Sequence, residues 1–283
     1  MIVAVTAILL DTTLAPARLG RLVEEHGFDG LFLPEHTHLP VDETARMPTG
    51  HVPPAELARY LDPLECLAAV ASVTERLLLG TSVLVVPLHD PIVLAKRLAT
   101  LDLLSGGRVV VGVGAGWHDV ELVNHGGDPK HRWLALREKV EAMRALWTEE
   151  VASYEGTTVR FGPLRQWPKP VQRPHPRLLI GGSGPNVERR VLTYGDGWFP
   201  SARHVDGDEL ARRMTALRAR AAAIGRPAPT VVLQEARATP EAIEDYARTG
   251  LDGCTFRVHP TDERSVVTQL RTLQSLAGPL REG

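Results

Sequence analysis

This sequence has only two cysteines, Cys66 and Cys254, which lie far apart and lack the spacing of a redox or metal-binding motif. A disulfide framework and a thiolate metal site are therefore excluded, and we expect a reducing, cytoplasmic location. Long apolar runs are also missing: the opening MIVAVTAILL is too short to span a bilayer and has no basic segment before it. We interpret it as a buried first strand and expect no membrane association.

An excess of charge of one sign is likewise missing. The formal net charge is -2 over 283 residues, so no broad basic face is available and nucleic-acid binding is excluded as the main role. With 43% apolar and 23% charged residues, the composition is that of a globular protein with a full core. The length suits one large α/β barrel domain over residues 1–283, and no segment has the composition of a linker.

Apolar, β-branched runs alternate with longer amphipathic stretches along the whole chain, and we count eight such strand–helix units. Strict alternation predicts a parallel sheet buried on both faces, and eight units predict that the sheet closes on itself. The predicted fold class is therefore α/β, a (β/α)8 TIM barrel with insertion segments. The first five strands are predicted at 2–8, 29–34, 77–86, 108–116 and 176–182, and a hairpin insertion at 151–163.

The connection 35–60, between the second strand and its helix, is long and rich in Pro, His and acidic residues. Active sites of such barrels lie at the carboxyl ends of the strands, so this segment is a candidate lid over a substrate. A surface loop without function is the alternative. Its histidines, His51 among them, lack the spacing of a standard metal site, and we predict no bound metal.

The fifth strand runs into the segment GGSGPN (181–186) at the start of a helix. Gly181, Gly182 and Gly184 would let a phosphate approach the unpaired N–H groups of the helix start. Ser183 would add a hydroxyl, and Asn186 would cap the helix or donate its amide. We interpret the segment as a phosphate site. The alternative is a tight turn in which glycine only supplies a positive φ.

A second glycine-rich segment, GVGAGWHD (112–119), does not fit the dinucleotide-binding motif, because Trp117 stands where the third glycine belongs. Small residues here, Gly114 among them, instead predict room for a flat ring above the barrel mouth. Trp117 and Trp198 both fall at strand ends, where they would either wall a pocket or close the top of the barrel, and we assign Trp198 to the cofactor site.

Four stretches carry a resemblance to a known family: 60–117 with its DLLSGGR segment, EAMRALWTEE (141–150), 168–185, and YGDGWFPS (194–201). In these stretches the sequence resembles the bacterial luciferase-like monooxygenase superfamily. Within it, the sequence is similar to the branch of probable F420-dependent oxidoreductases of actinobacteria. The resemblance covers most of residues 1–201 and weakens toward the carboxyl terminus.

This resemblance implies a barrel that binds a flavin or deazaflavin across its mouth. The ring would lie against a bulge after strand three that contains a non-prolyl cis peptide, here Ser82-Val83, and the cofactor phosphate would lie at 181–186. An acidic–His pair near the reactive carbon maps onto Glu35 and His36. A histidine exchanges a proton near neutral pH, which suits hydride transfer. Alternatively, His36 only hydrogen-bonds the cofactor ring or caps the loop.

The sequence also departs from relatives that oxidise a sugar phosphate, which place a glutamate just after strand four, where this chain has Ala115-Gly116. Glu121 matches a common acid of the family, but we expect it to cap a helix or to pair with Arg137. For a deazaflavin's polyglutamate tail, basic residues are not concentrated anywhere obvious. Single candidates at later strand ends are Arg203, Arg257 and His259.

We therefore predict an F420-dependent oxidoreductase that transfers a hydride between coenzyme F420 and a small organic substrate. One alternative is a monooxygenase that uses reduced FMN and dioxygen, which would need a flavin reductase as partner. A non-catalytic flavin or deazaflavin carrier and a phosphosugar-processing barrel without a redox cofactor stay open as well. A homodimer is compatible with the exposed Leu and Trp residues of the helices.

Overall fold

The computed structural model describes residues 1–41, 46–47, 50–205 and 207–282, and its centre is a closed barrel of eight parallel strands. The strands in chain order are β1 (Ile2–Ala7), β2 (Gly30–Leu33), β3 (Leu78–Val85), β4 (Val109–Gly114), β5 (Ala152–Glu155), β6 (Arg160–Leu164), β7 (Arg177–Gly181), β8 (Gly197–Phe199), β9 (Thr230–Leu233) and β10 (Gly253–Val258). All but β5 and β6 belong to the barrel, which β10 closes by pairing with β1. The predicted (β/α)8 barrel is confirmed.

Helices follow the barrel strands on the outside. They are α1 (Pro16–Glu25), α2 (Pro63–Ala71), α3 (Pro91–Ser105), α4 (Asp119–Asn124), α5 (Arg132–Thr148), α6 (Val187–Tyr194), α7 (Gly207–Ala223), α8 (Pro240–Thr249), α9 (Glu263–Leu276) and α10 (Pro279–Glu282). The local sequence sets several of their starts. Asp62 and Asp90 each precede a proline at the first helical position and accept hydrogen bonds from backbone N–H groups of the first turn.

The side chains that point into the barrel form an inner core of their own. It consists of Ala4, Phe32, Val110, Leu179, Phe199 and Val232. The rings of Phe32 and Phe199 meet at a centroid distance of 5.6 Å. The alternate residues of these strands, such as Val111 and Ile180, point outward and pack in a larger core between the strands and the helices. This two-sided burial explains why the strands read as continuous apolar runs.

The predicted hairpin insertion is confirmed as the antiparallel pair β5–β6. Its turn is fastened to α5 by Glu138, a buried carboxylate that accepts hydrogen bonds from the backbone N–H groups of Thr157, Thr158 and Val159. The hairpin is therefore anchored to a helix on the outside of the barrel.

The register of β3 against β4 shifts between Thr81 and Leu84, which makes a bulge at the carboxyl end of β3. The peptide bond Ser82-Val83 within this bulge is cis, as the family resemblance implied. Next to the bulge, the Thr81 hydroxyl donates a hydrogen bond of 2.8 Å to the carbonyl of Gly112.

Both cysteines are buried as free thiols. Burial raises the pKa of Cys66 to about 11 and that of Cys254 to about 12, so both stay protonated near neutral pH.

Within the described part of the chain, no helix combines the length and the apolar character needed to cross a lipid bilayer.

A close approach of two strands explains the glycine at position 112. A Cβ atom there would lie 2.2 Å from the carbonyl oxygen of Thr81 and 2.8 Å from the Phe199 ring. We expect Gly112→Ala to lower the free energy of unfolding by about 1–3 kcal/mol, because a backbone atom cannot move aside as a flexible side chain does. Gly162→Ala is the matched control, since nothing lies within 4 Å of a Cβ atom there. Urea unfolding measures both, and equal effects would contradict the prediction.

Candidate active site

A cavity of about 500 Å³ lies at the carboxyl ends of the barrel strands, a size that suits a small-molecule ligand. Of the predicted site residues, those that line it are Glu35, His36, Ser82, Val83, Gly114, Gly181 and Gly182. The segment 35–60 contributes Met47 and Tyr60 to the lining, while residues 42–45 and 48–49 of the predicted lid lie outside the described residues. Another cavity, about 550 Å³, opens at the amino-terminal end of the barrel beside Met1 and Asp252, away from these residues.

His36 follows β2, and both nitrogens of its ring make hydrogen bonds. Its Nδ1 lies 2.9 Å from the Glu121 carboxylate, and its Nε2 lies 3.3 Å from the indole nitrogen of Trp117. An indole can only donate, so Nε2 is the acceptor and Nδ1 carries the proton that points at Glu121. The carboxylate thus fixes one tautomer of His36, which is 11% exposed on its side chain and faces the cavity.

Glu121 lies in the first turn of α4 and is 3% exposed. Besides His36, it accepts hydrogen bonds from the backbone N–H and the hydroxyl of Thr37. Burial acts to raise the pKa of this carboxyl, but the hydrogen bonds from His36 and Thr37 outweigh it, and the pKa is lowered. The expected ion pair with Arg137 was wrong: Arg137 lies instead 3.8 Å from Glu141.

Glu35 is buried at the edge of the cavity, and both of its oxygens are engaged. One accepts a 2.6 Å hydrogen bond from the backbone N–H of Val85, and the other lies 2.8 Å from Nε2 of His89. This carboxylate therefore ties the end of β2 to the end of β3, which sets the position of the bulge.

A second polar network lies outside His36, at the rim of the site. The Thr37 hydroxyl is 2.9 Å from both His38 Nδ1 and His125 Nε2, and His38 Nε2 lies 2.9 Å from the Asn124 amide. Burial, and after it the charge of His38, lowers the pKa of His125. Among the residues that the structure describes, no three His, Cys, Asp or Glu side chains converge as metal ligands would.

The bulge forms the floor of the cavity. The Ser82 hydroxyl lies 2.9 Å from that of Thr6, which itself donates to the carbonyl of Phe32. A Cβ atom at Gly114 or Gly181 would lie 2.6 Å or 2.9 Å from a methyl group of Val83. These two glycines thus leave space for the Val83 side chain, and the floor stays flat.

The segment 181–186 forms an open turn between β7 and α6. Gly182 has a φ of 108°, and no atom lies within 4 Å of a Cβ position at Gly182 or Gly184. The hydroxyl oxygen of Ser183 is buried and finds no hydrogen-bond partner among the described residues. Asn186 is exposed at the helix start, and its side chain makes no capping hydrogen bond.

Trp198 and Arg213 support this turn from behind. Trp198 is fully buried and not part of the cavity lining, and its indole N–H donates a 2.8 Å hydrogen bond to the carbonyl of Gly182. Arg213 lies 4.8 Å above the Trp198 ring and donates a hydrogen bond of 2.9 Å to the carbonyl of Ser183. Both side chains fix the backbone of the turn, which the sequence alone did not indicate.

At the ends of β8, β9 and β10, two arginines share one carboxylate. Arg203 and Arg257 lie 2.6 Å and 2.9 Å from the two oxygens of Glu235, and all three line the cavity. Tyr60 also lines the cavity, with its ring 5.7 Å from that of His36. Burial raises the pKa of Tyr60 to about 12, with smaller effects of Arg257 and Glu235, so its hydroxyl keeps its proton.

Comparisons with known proteins agree with this architecture. A family model for luciferase-like monooxygenases matches residues 14–277. An uncharacterised protein of Mycobacterium tuberculosis is 43% identical over 250 residues, which are 87% of this chain and 88% of that protein. The solved structure of the monooxygenase RslO1 from Streptomyces bottropensis superimposes with a TM-score of 0.81 at 24% identity, and covers 99% of this chain and 100% of its own.

Two relatives of named activity are more distant. The F420-dependent glucose-6-phosphate dehydrogenase of Nakamurella multipartita is 34% identical over 66% of this chain and 51% of its own length. The FMNH(2)-dependent dimethylsulfone monooxygenase of Pseudomonas putida is 33% identical over 56% of this chain and 43% of its own length. The chain thus spans about half the length of these two.

An eight-stranded barrel with a ligand-sized cavity and a His–Glu pair at the carboxyl ends of its strands has the architecture of a barrel enzyme. With the family model matched over nearly its whole length, this chain belongs to the luciferase-like monooxygenase family, and it is an oxidoreductase.

The lowered pKa of Glu121 gives a pH-dependent prediction. A carboxyl whose pKa falls on folding stabilises the fold above its ordinary value of 4.5, and this contribution is lost as the pH drops below that value. We expect Glu121→Gln to lower the free energy of unfolding at pH 7 by about 1–3 kcal/mol, since the amide nitrogen would face a donor.

The difference between wild type and Glu121→Gln should shrink as the pH falls through about 4.5. Chemical unfolding between pH 7 and pH 4 measures it, with the exposed Glu244→Gln as control. A difference that stays constant down to pH 4 would contradict the assignment.

Proposed function

We propose that this protein is an F420-dependent oxidoreductase that transfers a hydride between the deazaflavin and a small organic substrate. One observation carries the proposal: the Ser183 hydroxyl, buried and without a partner in the described structure, lies in a glycine turn whose Gly181 and Gly182 line the same cavity as His36, the partner of Glu121. The turn suits a cofactor phosphate, and the pair suits proton transfer to or from a substrate oxygen. The likeness to F420-dependent glucose-6-phosphate dehydrogenases supports the choice of cofactor.

The residues present fit such a cofactor. The flat floor at Ser82 and Val83 suits the face of a planar ring, and the glycines beside it add no side chain above that floor. The open turn offers backbone N–H groups and the Ser183 hydroxyl to a phosphate. When bound, coenzyme F420 supplies the two-electron hydride chemistry.

The side chains of the protein itself would bind and release the proton. In the oxidation of a substrate alcohol, Nε2 of His36 takes the hydroxyl proton while the carbon loses its hydride and becomes a carbonyl carbon. The Glu121 carboxylate stabilises the imidazolium that results, because it accepts the hydrogen bond of Nδ1. The contact from Trp117 to Nε2 is long, at 3.3 Å, so a substrate oxygen in the cavity can replace it. In the reverse reaction, the same nitrogen returns the proton.

Glu35, by contrast, acts as a positioning residue, since both of its oxygens are engaged by Val85 and His89.

A monooxygenase that uses reduced FMN and dioxygen is the second candidate function, which the likeness to the dimethylsulfone monooxygenase favours. That chemistry would require a reductase that supplies reduced flavin. The two candidates share the floor and the turn and differ in the cofactor that binds.

Binding of the purified protein to F420 and to FMN, measured by calorimetry, tests the choice of cofactor. We expect selective F420 binding that Gly184→Val weakens at least about tenfold, because the new side chain would fill the open turn. Gly162→Val is the control at another open glycine and should bind as wild type does. Selective FMN binding would move the protein to oxygen chemistry, and binding of neither cofactor would refute the redox reading of the site.

The proton role of His36 is tested with any alcohol that bleaches the absorbance of bound oxidised F420. We expect His36→Asn to lower kcat by about 10²–10⁴ while F420 affinity stays within a few-fold, since general acid–base catalysis contributes this much. His38→Asn at the rim serves as the matched control. Equal losses in both variants would assign His36 to cofactor binding or to structure.

A further inference from the structure

A separate pocket of about 240 Å³ opens between α5 and α6, on the outer side of the proposed phosphate turn. Its walls are formed by Trp133, Leu134, Arg137, Arg189, Arg190, Thr193 and Tyr194. Trp133 lines this pocket and the main cavity as well, so the two are adjacent. Trp133 is 40% exposed at this boundary.

The pocket carries positive charge that the protein does not balance. In the described part of the chain, Arg189 and Arg190 have no carboxylate within ion-pair distance, and Arg137 reaches only a distant oxygen of Glu141 at 3.8 Å. The guanidinium of Arg190 stacks on the Trp133 ring at 3.4 Å from its centroid. Burial lowers the pKa of Arg190, and the neighbouring charge of Arg189 adds to this effect. An anion in the pocket would relieve this repulsion.

Tyr194 supplies a second, independent sign of a ligand. The residue is 3% exposed and lines the pocket, yet its hydroxyl has no hydrogen-bond partner among the residues described. Burial raises its pKa to about 12, so near neutral pH the hydroxyl is a protonated donor. Buried polar groups in folded proteins are usually satisfied, and an oxygen of a bound ligand would satisfy this one.

The chain order connects the pocket to the proposed phosphate turn. Helix α6 begins at Val187, directly after the turn 182–186, and Arg189 and Arg190 lie in its first turn. A ligand whose phosphate occupies the turn can therefore extend past Trp133 and reach the arginines within about one helical turn, about 5.4 Å.

We propose that this pocket, formed by Trp133, Arg137, Arg189, Arg190 and Tyr194, binds the oligoglutamate tail of coenzyme F420, an inference that rests on the proposed use of that coenzyme. Guanidinium groups match carboxylates in geometry as well as in charge, and the tail presents a row of carboxylates beyond the phosphate. Arg203 and Arg257, which the sequence had suggested for the tail, already share Glu235 inside the cavity. FMN ends at its phosphate, so this pocket would also favour F420 over FMN.

The double variant Arg189→Gln/Arg190→Gln tests this assignment. Its affinity is measured by calorimetry for F420 with several glutamates and for a tail-less F420 that keeps the phosphate. We expect about a three- to tenfold loss for the tailed coenzyme and no change for the tail-less one, since partly exposed ion pairs contribute modestly. In wild type, the preference for the tailed form should fade at about 1 M salt, because the charges are then screened.

The matched control is Arg212→Gln/Arg220→Gln, which removes the same charge from exposed positions on α7 and should bind both forms as wild type does. Equal binding of tailed and tail-less F420 by wild type would overturn the tail site while leaving the proposed function intact. An equal loss for both forms in the Arg189/Arg190 variant would also overturn it. Binding of neither form by wild type would refute the proposed function and the tail site together.

Discussion

The contact between Val83 and the two glycines beside it is the constraint on which the site depends. The bulge at Ser82 and Val83 can lie at the barrel mouth only because positions 114 and 181 carry no side chain. The carboxylate of Glu35 holds the next residues of β3 through the N–H of Val85. Together these contacts hold the bulge at the floor of the cavity.

The fold could be predicted well from the sequence, but the hydrogen-bond partners of the site residues could not. Strand positions follow from runs of apolar residues that are local in sequence, and the register shift after Thr81 followed from the family resemblance. The bond between His36 and Glu121 joins residues 85 apart, and no single sequence shows which acid reaches which histidine. Trp198 was predicted at the cofactor but lies behind the turn, because a strand end alone does not reveal the direction of a side chain.

The polar side chains at the cavity form two groups. One is His36 with the Glu121 carboxylate behind it, and the other is the ion-paired set of Arg203, Glu235 and Arg257. The cavity therefore presents a histidine whose tautomer is set by a carboxylate, and a separate cluster in which two arginines share one carboxylate.

The two cysteines have a practical consequence. Both are buried, and their raised pKa values keep them in the unreactive thiol form. A cysteine introduced on the surface, for example in place of the exposed Val41, would therefore be the one thiol that a maleimide dye modifies readily. The protein can in this way carry a fluorescent label at one chosen surface position without prior replacement of its native cysteines.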